Sequence, residues 1–135
     1  VPYALTALAE AHLASGEAGE AERTARKCVE RTVRNGNAEQ LAWSLRLLAE
    51  AHMLSHAFKD ASCALDEAYR VATTACMAPQ QAWVLASRGK LARMCGLYED
   101  AVRFSQTSVD LWGRMGNTYQ ARKTSRDCGL PEVRP

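Results

Sequence analysis

Two histidines one helical turn apart come nearest to a metal site in this sequence. His52 and His56 stand at i and i+4, a spacing that can place two imidazoles on one helix face, where they can bind zinc. His56 falls at the predicted end of its helix, however, and no third ligand is apparent. His12 shares the position of His52 in an internal repeat, and we expect a buried or half-buried structural role for both. We therefore expect no metal.

Signatures of catalysis are missing from the sequence. It contains no Gly-rich phosphate loop, no GxSxG and no HExxH motif. Glu10 and Glu50, in two LAEAH segments, could act as acid or base. Catalysis also requires a second group that converges with them in a pocket, and the sequence predicts none. We expect neither enzymatic activity nor a cofactor.

The cysteines do not form a recognisable redox or metal pattern. Their number is odd and no CxxC motif occurs, so we expect reduced thiols in the cytoplasm. Each lies at a position where a small apolar residue would suit a helix. They are Cys28, Cys63, Cys76, Cys95 and Cys128.

Length and composition indicate one folded domain. The chain has 135 residues, of which 47% are hydrophobic and 24% charged, values typical of a globular protein. The longest uncharged stretch, from Val71 to Ser87, contains Pro79, which argues against a membrane span. The sequence begins at Val1 without a Met, so we expect it to be a fragment of a larger protein.

An internal repeat dominates the sequence. The string LAEAH occurs at Leu8–His12 and again at Leu48–His52, an offset of 40 residues. The same offset relates Leu5 to Leu45 and Leu85, Ala21 to Ala61 and Ala101, Gln40 to Gln80 and Gln120, and Trp43 to Trp83. A period of this length is the signature of stacked units that bury their apolar faces against their neighbours.

Each repeat carries two helical segments. Leu45, Leu48, Ala49 and His52 follow one another at i, i+3, i+4 and i+7, which is helical spacing. Breaks at Ser15-Gly16, Asn35-Gly36-Asn37, Ser55-His56, Pro79, Cys95-Gly96 and Gly116-Asn117 separate the helices. The predicted helices cover 2–15, 18–34, 38–54, 58–75, 79–94, 98–115 and 118–127. We predict one domain over 1–128, with repeats at about 1–37, 38–77 and 78–117, a partial repeat at 118–128, and a tail over 129–135.

The spacing of small residues carries a resemblance to a known family. Ala9 and Ala21, Ala49 and Ala61, and Gly89 and Ala101 are each twelve residues apart, as are the small residue and the helix-B alanine of tetratricopeptide repeats. Leu8 and Leu48, and the aromatic residues Phe58 and Tyr98, also match that pattern.

This resemblance implies an all-α, right-handed superhelix of about three helix pairs with a C-terminal capping helix. The 40-residue period exceeds the common 34, Trp stands one turn earlier than usual, and the Pro at the repeat end is missing. In these respects the chain is similar to the long repeats of kinesin light chains and of bacterial ATPase-linked transcriptional regulators. The composition favours the bacterial regulators.

The resemblance also implies a binding surface on the concave face, which the first helices of the pairs line. Its groove positions would be Tyr3, Thr6, Glu10 and Leu13, then Trp43, Arg46, Glu50 and Met53, then Trp83, Ala86, Lys90 and Arg93, and finally Lys123 and Arg126. Aromatic and Arg side chains often anchor interfaces. The candidate ligand-binding residues are therefore Trp43, Arg46, Glu50, Met53, Trp83, Lys90, Arg93, Lys123 and Arg126. Trp43 and Trp83 have an alternative role, which is to pack between adjacent helices.

Charge is distributed unevenly along the chain. Residues 1–67 carry 10 acidic and 7 basic side chains, a net charge of −3, and residues 68–135 carry 5 and 10, a net charge of +5. The basic half favours an acidic peptide, a C-terminal carboxylate or nucleic-acid phosphates as ligand. Ten basic residues spread over four helices are not the concentrated footprint that nucleic-acid binding requires.

We therefore predict a scaffold that binds a protein or peptide, as one part of a larger bacterial regulatory protein in the cytoplasm, with no membrane partner. One alternative is a structural segment that self-associates through the ends of the solenoid. A helical repeat that binds nucleic acid is the less favoured alternative.

Overall fold

The computed structural model of the chain describes residues 2–130, and the side chains of residues 4–130. Within this range it consists of seven α-helices and contains no strand. They are α1 (Pro2–Ala14), α2 (Ala18–Asn35), α3 (Ala38–Leu54), α4 (Phe58–Thr74), α5 (Ala78–Met94), α6 (Tyr98–Arg114) and α7 (Thr118–Asp127). The bounds agree with the predicted ones to within one residue, so the all-α prediction is confirmed. Residues 131–135 of the predicted tail lie outside the described residues.

The repeat in the sequence becomes an even spacing of helices. Helices α2 to α7 begin at residues 18, 38, 58, 78, 98 and 118, so each begins 20 residues after the one before. Each helix packs against the next in the chain, and α3 also contacts both α1 and α5. The helices therefore form a sequential array in which first helices of consecutive pairs lie side by side. None of the helices described is both long and apolar enough to cross a membrane.

The turns between helices repeat one hydrogen-bonding arrangement. After α1, the Glu17 N–H donates to the His12 carbonyl at 2.9 Å while Gly16 takes a left-handed conformation with φ of 74°. Corresponding bonds close the turns after α3, α4, α5, α6 and α7. This is the Schellman arrangement, which normally places glycine in the left-handed position. His56 and Cys76 occupy that position after α3 and α4, with φ of 58° and 55°.

Small residues lie where consecutive helices cross. Ala9, Ala49, Ala21, Ala61 and Ala101 are buried, as is Gly89. A Cβ atom on Gly89 would clash with Ser105 Oγ and would lie 3.2 Å from the Ala101 carbonyl oxygen. Helices α5 and α6 therefore approach so closely at this crossing that only glycine fits without a shift.

Larger apolar side chains fill the space beside these crossings. One cluster joins α3, α4 and α5 through residues such as Leu45, Leu65 and Val84. A second joins α1, α2 and α3 and includes Leu47 and Leu48. The predicted apolar face of α3 is confirmed, because Leu45, Leu48, Ala49 and His52 are all buried.

The histidines take the structural role that the sequence predicts. His52 is buried and His12 is half-buried. His56 lies beyond the end of α3, where its ring meets the Phe58 ring edge-on at 5.5 Å. Among the described residues, no group of three His, Cys, Asp or Glu side chains could hold a metal ion.

The cysteines only partly follow their prediction. All five are free thiols, and Cys28 is buried in α2. Cys63, Cys76 and Cys95 are exposed. The expectation that each would pack as a small apolar residue in a helix is therefore wrong for these three. Cys63 lies on the outer face of α4, and the other two lie in turns between helices.

Replacing Gly89 by Ala tests the close crossing of α5 and α6. Overpacking costs about 1–3 kcal/mol, and better helix propensity offsets about 1 kcal/mol of that. We expect Gly89→Ala to lower the free energy of unfolding, measured by urea denaturation. Gly113→Ala in α6 is the matched control, because its added Cβ would meet no atom within 4 Å, and it should raise that free energy by about 0.5–1 kcal/mol. Equal effects at both sites would contradict the close crossing.

Thiol alkylation tests the placement of the cysteines. Burial raises the pKa of the Cys28 thiol above its ordinary value, and the thiolate is the reactive form. We expect iodoacetamide at about pH 8, near the ordinary thiol pKa, to modify Cys63, Cys76 and Cys95 well before Cys28. Mass spectrometry of peptides from a timed digest measures the order, and denatured protein, in which all sites should react together, is the control.

Candidate ligand-binding groove

A groove of about 490 Å³ lies between α3, α5 and α7, the first helices of consecutive pairs. Its volume is within the range usual for ligand pockets. Helix α3 contributes two side chains, α5 five and α7 four, with one more from the turn that follows. The lining residues are Arg46, Glu50, Trp83, Ala86, Ser87, Lys90, Arg93, Gln120, Lys123, Thr124, Asp127 and Cys128.

The structure brings together most of the groove positions predicted from α3, α5 and α7. Those that line the groove are Arg46, Glu50, Trp83, Ala86, Lys90, Arg93 and Lys123. Sequence reasoning missed Ser87, Gln120, Thr124, Asp127 and Cys128. Ser87 and Thr124 each follow a predicted position by one residue, which shows that the groove is wider than the single helical stripe used to predict it. A binding role for the predicted groove residues stays a prediction.

Three other candidate residues do not line the groove. Met53 is 1% exposed and lies in the core. Arg126 is exposed and is absent from the lining of the groove. Trp43 is half-buried and packs against the cluster that contains Leu48, and its indole Nε1 donates a hydrogen bond to Glu10 Oε1 at 3.1 Å. Trp43 therefore packs between helices, as the alternative interpretation held.

The remaining predicted positions belong to the first helix, α1. Thr6 is buried, Leu13 is half-buried against the same cluster as Trp43, and Glu10 is exposed. The side chain of Tyr3 lies outside the described residues. None of the three described residues reaches the groove between α3, α5 and α7.

Trp83 combines the two roles that the sequence left open. Its ring meets the ring of Trp112 edge-on, with 5.1 Å between ring centroids and 68° between ring planes. Trp112 belongs to α6 and is 2% exposed, so it gives Trp83 a rigid support. Trp83 itself is half-buried and lines the groove. An aromatic side chain held in this way offers apolar contact area with little loss of conformational entropy.

Glu50 links α3 to α5 within the groove. One carboxylate oxygen accepts a hydrogen bond from Ser87 Oγ at 3.1 Å, and the other accepts one from Lys90 Nζ at 2.9 Å. The Glu50 side chain is 16% exposed. Both oxygens of this carboxylate are therefore already bound by donors from α5.

Arg46 differs from Glu50 and Lys90, which form an ion pair with each other. Its Nε atom is buried and has no hydrogen-bond partner, and no ion pair joins its guanidinium to another described residue. Desolvation by burial lowers the pKa of Arg46 from its ordinary value, while the charges of Glu50 and Glu10 act in the opposite direction. An arginine stays charged under such a shift, so the groove contains a partly desolvated positive charge.

The charges that line the groove leave it positive. Arg46, Lys90, Arg93 and Lys123 face two acidic residues, Glu50 and Asp127, for a net charge of +2. Arg93 lies beside the turn after α7, since a Cβ on Gly129 would be 3.6 Å from Arg93 Nη2. A concave surface with an excess of one charge concentrates ligands of the opposite charge. The groove is therefore suited to an anionic ligand that also has an apolar part.

Comparison with known proteins adds no assignment, because no family model and no curated protein matches this sequence.

Replacement of Arg46 tests whether its charge is uncompensated within the fold. Burial of an unpaired charge is destabilising, so Arg46→Met should leave the free energy of unfolding unchanged or raise it by about 1 kcal/mol. Arg88→Met is the matched control, because Arg88 is also half-buried but pairs with Asp66 at 2.7 Å and stacks on Tyr69 at 4.7 Å. Loss of these contacts should cost about 1 kcal/mol.

Urea denaturation at neutral pH measures both changes. If Arg46→Met destabilises the protein as much as Arg88→Met does, then Arg46 is stabilised by contacts within the fold. The description of its guanidinium as unpaired would then be wrong.

Proposed function

We propose that the chain is a peptide-binding module built from tetratricopeptide-like repeats in a right-handed superhelix. It holds an acidic segment of a partner protein in the groove between α3, α5 and α7, and it acts by binding without catalysis. We propose further that it belongs to a larger bacterial regulatory protein in the cytoplasm. The groove itself, with its positive charge and its supported tryptophan, is the observation that carries this proposal.

The construction of the groove supports a peptide as ligand. Three consecutive first helices contribute to its walls, so the surface extends along the array, as a stretch of peptide does. It offers an aromatic ring at Trp83 and charges of both signs. Such mixed chemistry suits side chains of different types at successive positions of a peptide.

The same lining is poorly suited to nucleic acid. Glu50 and Asp127 place carboxylates inside the groove, where they would repel phosphate groups. Lys90 is paired with Glu50, so it cannot neutralise a phosphate without breaking that contact. Nucleic-acid binding normally requires several unpaired basic side chains along a continuous surface.

A positional-scanning library of synthetic peptides tests the proposed function. Peptides selected on the wild-type chain are measured by fluorescence anisotropy against wild type and against the double variant Trp83→Ala, Arg93→Glu. We expect the double variant to bind at least about tenfold more weakly, as loss of an interface anchor would produce. The variant Tyr98→Ala, Lys59→Glu is the matched control, because it removes one exposed aromatic ring and inverts one exposed charge away from the groove.

Circular dichroism shows whether each variant keeps its helices. Because Trp83 also packs on Trp112, the single variant Arg93→Glu is measured as well, since Arg93 is exposed and its replacement leaves the core intact. Peptides that bind the groove variants as tightly as wild type, or no selected peptide at all, would overturn the proposed function.

A further inference from the structure

We propose that Arg46 is the anchoring residue of the groove, and that it recognises a side-chain carboxylate next to a large apolar residue of the bound peptide, which packs on Trp83. This inference rests on the proposed function and gives it a specific ligand chemistry. Arg46 is the charged residue of the groove that has a buried atom without a partner.

The nearby carboxylates do not supply a hydrogen-bond acceptor to the buried Nε of Arg46, although their charges raise its pKa. Glu50 is bound by Ser87 and Lys90. Glu10 accepts a hydrogen bond from the indole of Trp43. Each acid of α1 and α3 that acts on Arg46 is therefore held by another donor. The guanidinium keeps its hydrogen-bonding capacity for a group that comes from outside the chain.

A bound ligand would reduce the free-energy cost of burying the unpartnered Arg46 guanidinium. An unpartnered polar group that is removed from water costs free energy, and a buried charge costs more. A carboxylate that enters the groove would supply the missing acceptor in a partly desolvated site, where charge-assisted hydrogen bonds are strong. Nε is the guanidinium atom that is buried without a partner, and the Arg46 side chain lines the groove.

The shape of the guanidinium favours a carboxylate as this ligand. Its planar arrangement of donors matches the two oxygens of a carboxylate, which a lysine ammonium does not. A carboxylate carries one negative charge, which suits a groove with a net charge of +2 that contains Glu50 and Asp127. A phosphodiester chain would bring several charges close to these two acids.

Trp83 supplies the second part of the recognition. It lines the same groove as Arg46, and Trp112 supports its ring from the side away from solvent. Ala86, one turn along α5 from Trp83, is small and leaves space beside the ring. An apolar side chain can therefore pack on Trp83 while a neighbouring carboxylate binds Arg46.

Nuclear magnetic resonance with matched peptides tests this inference. The probes are acetyl-Gly-Glu-Leu-Gly-amide and acetyl-Gly-Gln-Leu-Gly-amide, which differ only in the charged group, and a hexamer of deoxythymidine is the phosphate probe. We expect the Arg46 Nε–H and Trp83 indole signals to shift saturably with the Glu peptide, with a millimolar Kd suited to so small a ligand. The Gln peptide should bind at least about tenfold more weakly, as loss of one charge-assisted contact predicts.

Arg46→Gln should remove the preference for the Glu peptide and remain folded. Arg103→Gln is the matched control, because Arg103 is exposed on α6 and outside the groove, and it should bind like wild type. Equal binding of the Glu and Gln peptides, or no shift at about 10 mM Glu peptide, well above the expected Kd, would overturn the assignment. A stronger shift of the Arg46 signal with the deoxythymidine hexamer would overturn it in favour of phosphate.

Failure of this inference can be separated from failure of the proposed function. If library peptides lose affinity for the Arg93→Glu variant but bind the Arg46→Gln variant as they bind wild type, the groove binds peptides without Arg46 as anchor. If library peptides bind all groove variants equally, both the function and the anchor are overturned.

Discussion

Close contact between small residues at the helix crossings is the constraint on which the rest of the structure depends. Ala49 and Ala61, like Gly89 and Ala101, let paired helices approach until side chains on either side interlock. Added volume there would push the two helices of a pair apart. Trp112 of α6 would then no longer support Trp83 of α5, so the groove depends on crossing residues that do not line it.

The sequential packing of the helices explains why the groove spans several repeats. Each helix contacts its chain neighbours, and α3 lies between α1 and α5. No single helix pair could enclose the groove, because its walls come from α3, α5 and α7. In arrays of this kind each unit is stabilised by its neighbours, so a ligand that contacts all three helices would also stabilise their relative arrangement.

Charged side chains of α3 and α5 join neighbouring helices, but Arg46 of α3 forms no ion pair with a described residue. Glu50 joins the two helices through Ser87 and Lys90, and Arg88 joins α5 to α4 through Asp66 and Tyr69. Arg46 stands apart because its buried Nε has no partner. Proteins commonly accept such a local cost at sites of function.

The helices of this protein could be read from the sequence because their signals are local. A 40-residue repeat, apolar residues at helical spacing such as Leu45 and Leu48, and glycines such as Gly16 and Gly96 after helix ends placed every boundary to within one residue. These local signals do not show which side chains of different helices contact each other. Trp43 and Trp83 are equivalent in the repeat, yet Trp43 packs on α1 and Trp83 lines the groove.

Met53 and Arg46 show the same limit for the candidate site. Both occupy predicted groove positions, but Met53 is buried in the core and Arg46 lies in the groove with a desolvated Nε. Periodicity determined which residues share a helix face. Only the tertiary structure decided which of them face solvent and which carboxylates are bound elsewhere, because burial and pairing depend on side chains from helices 20 to 40 residues away in the chain.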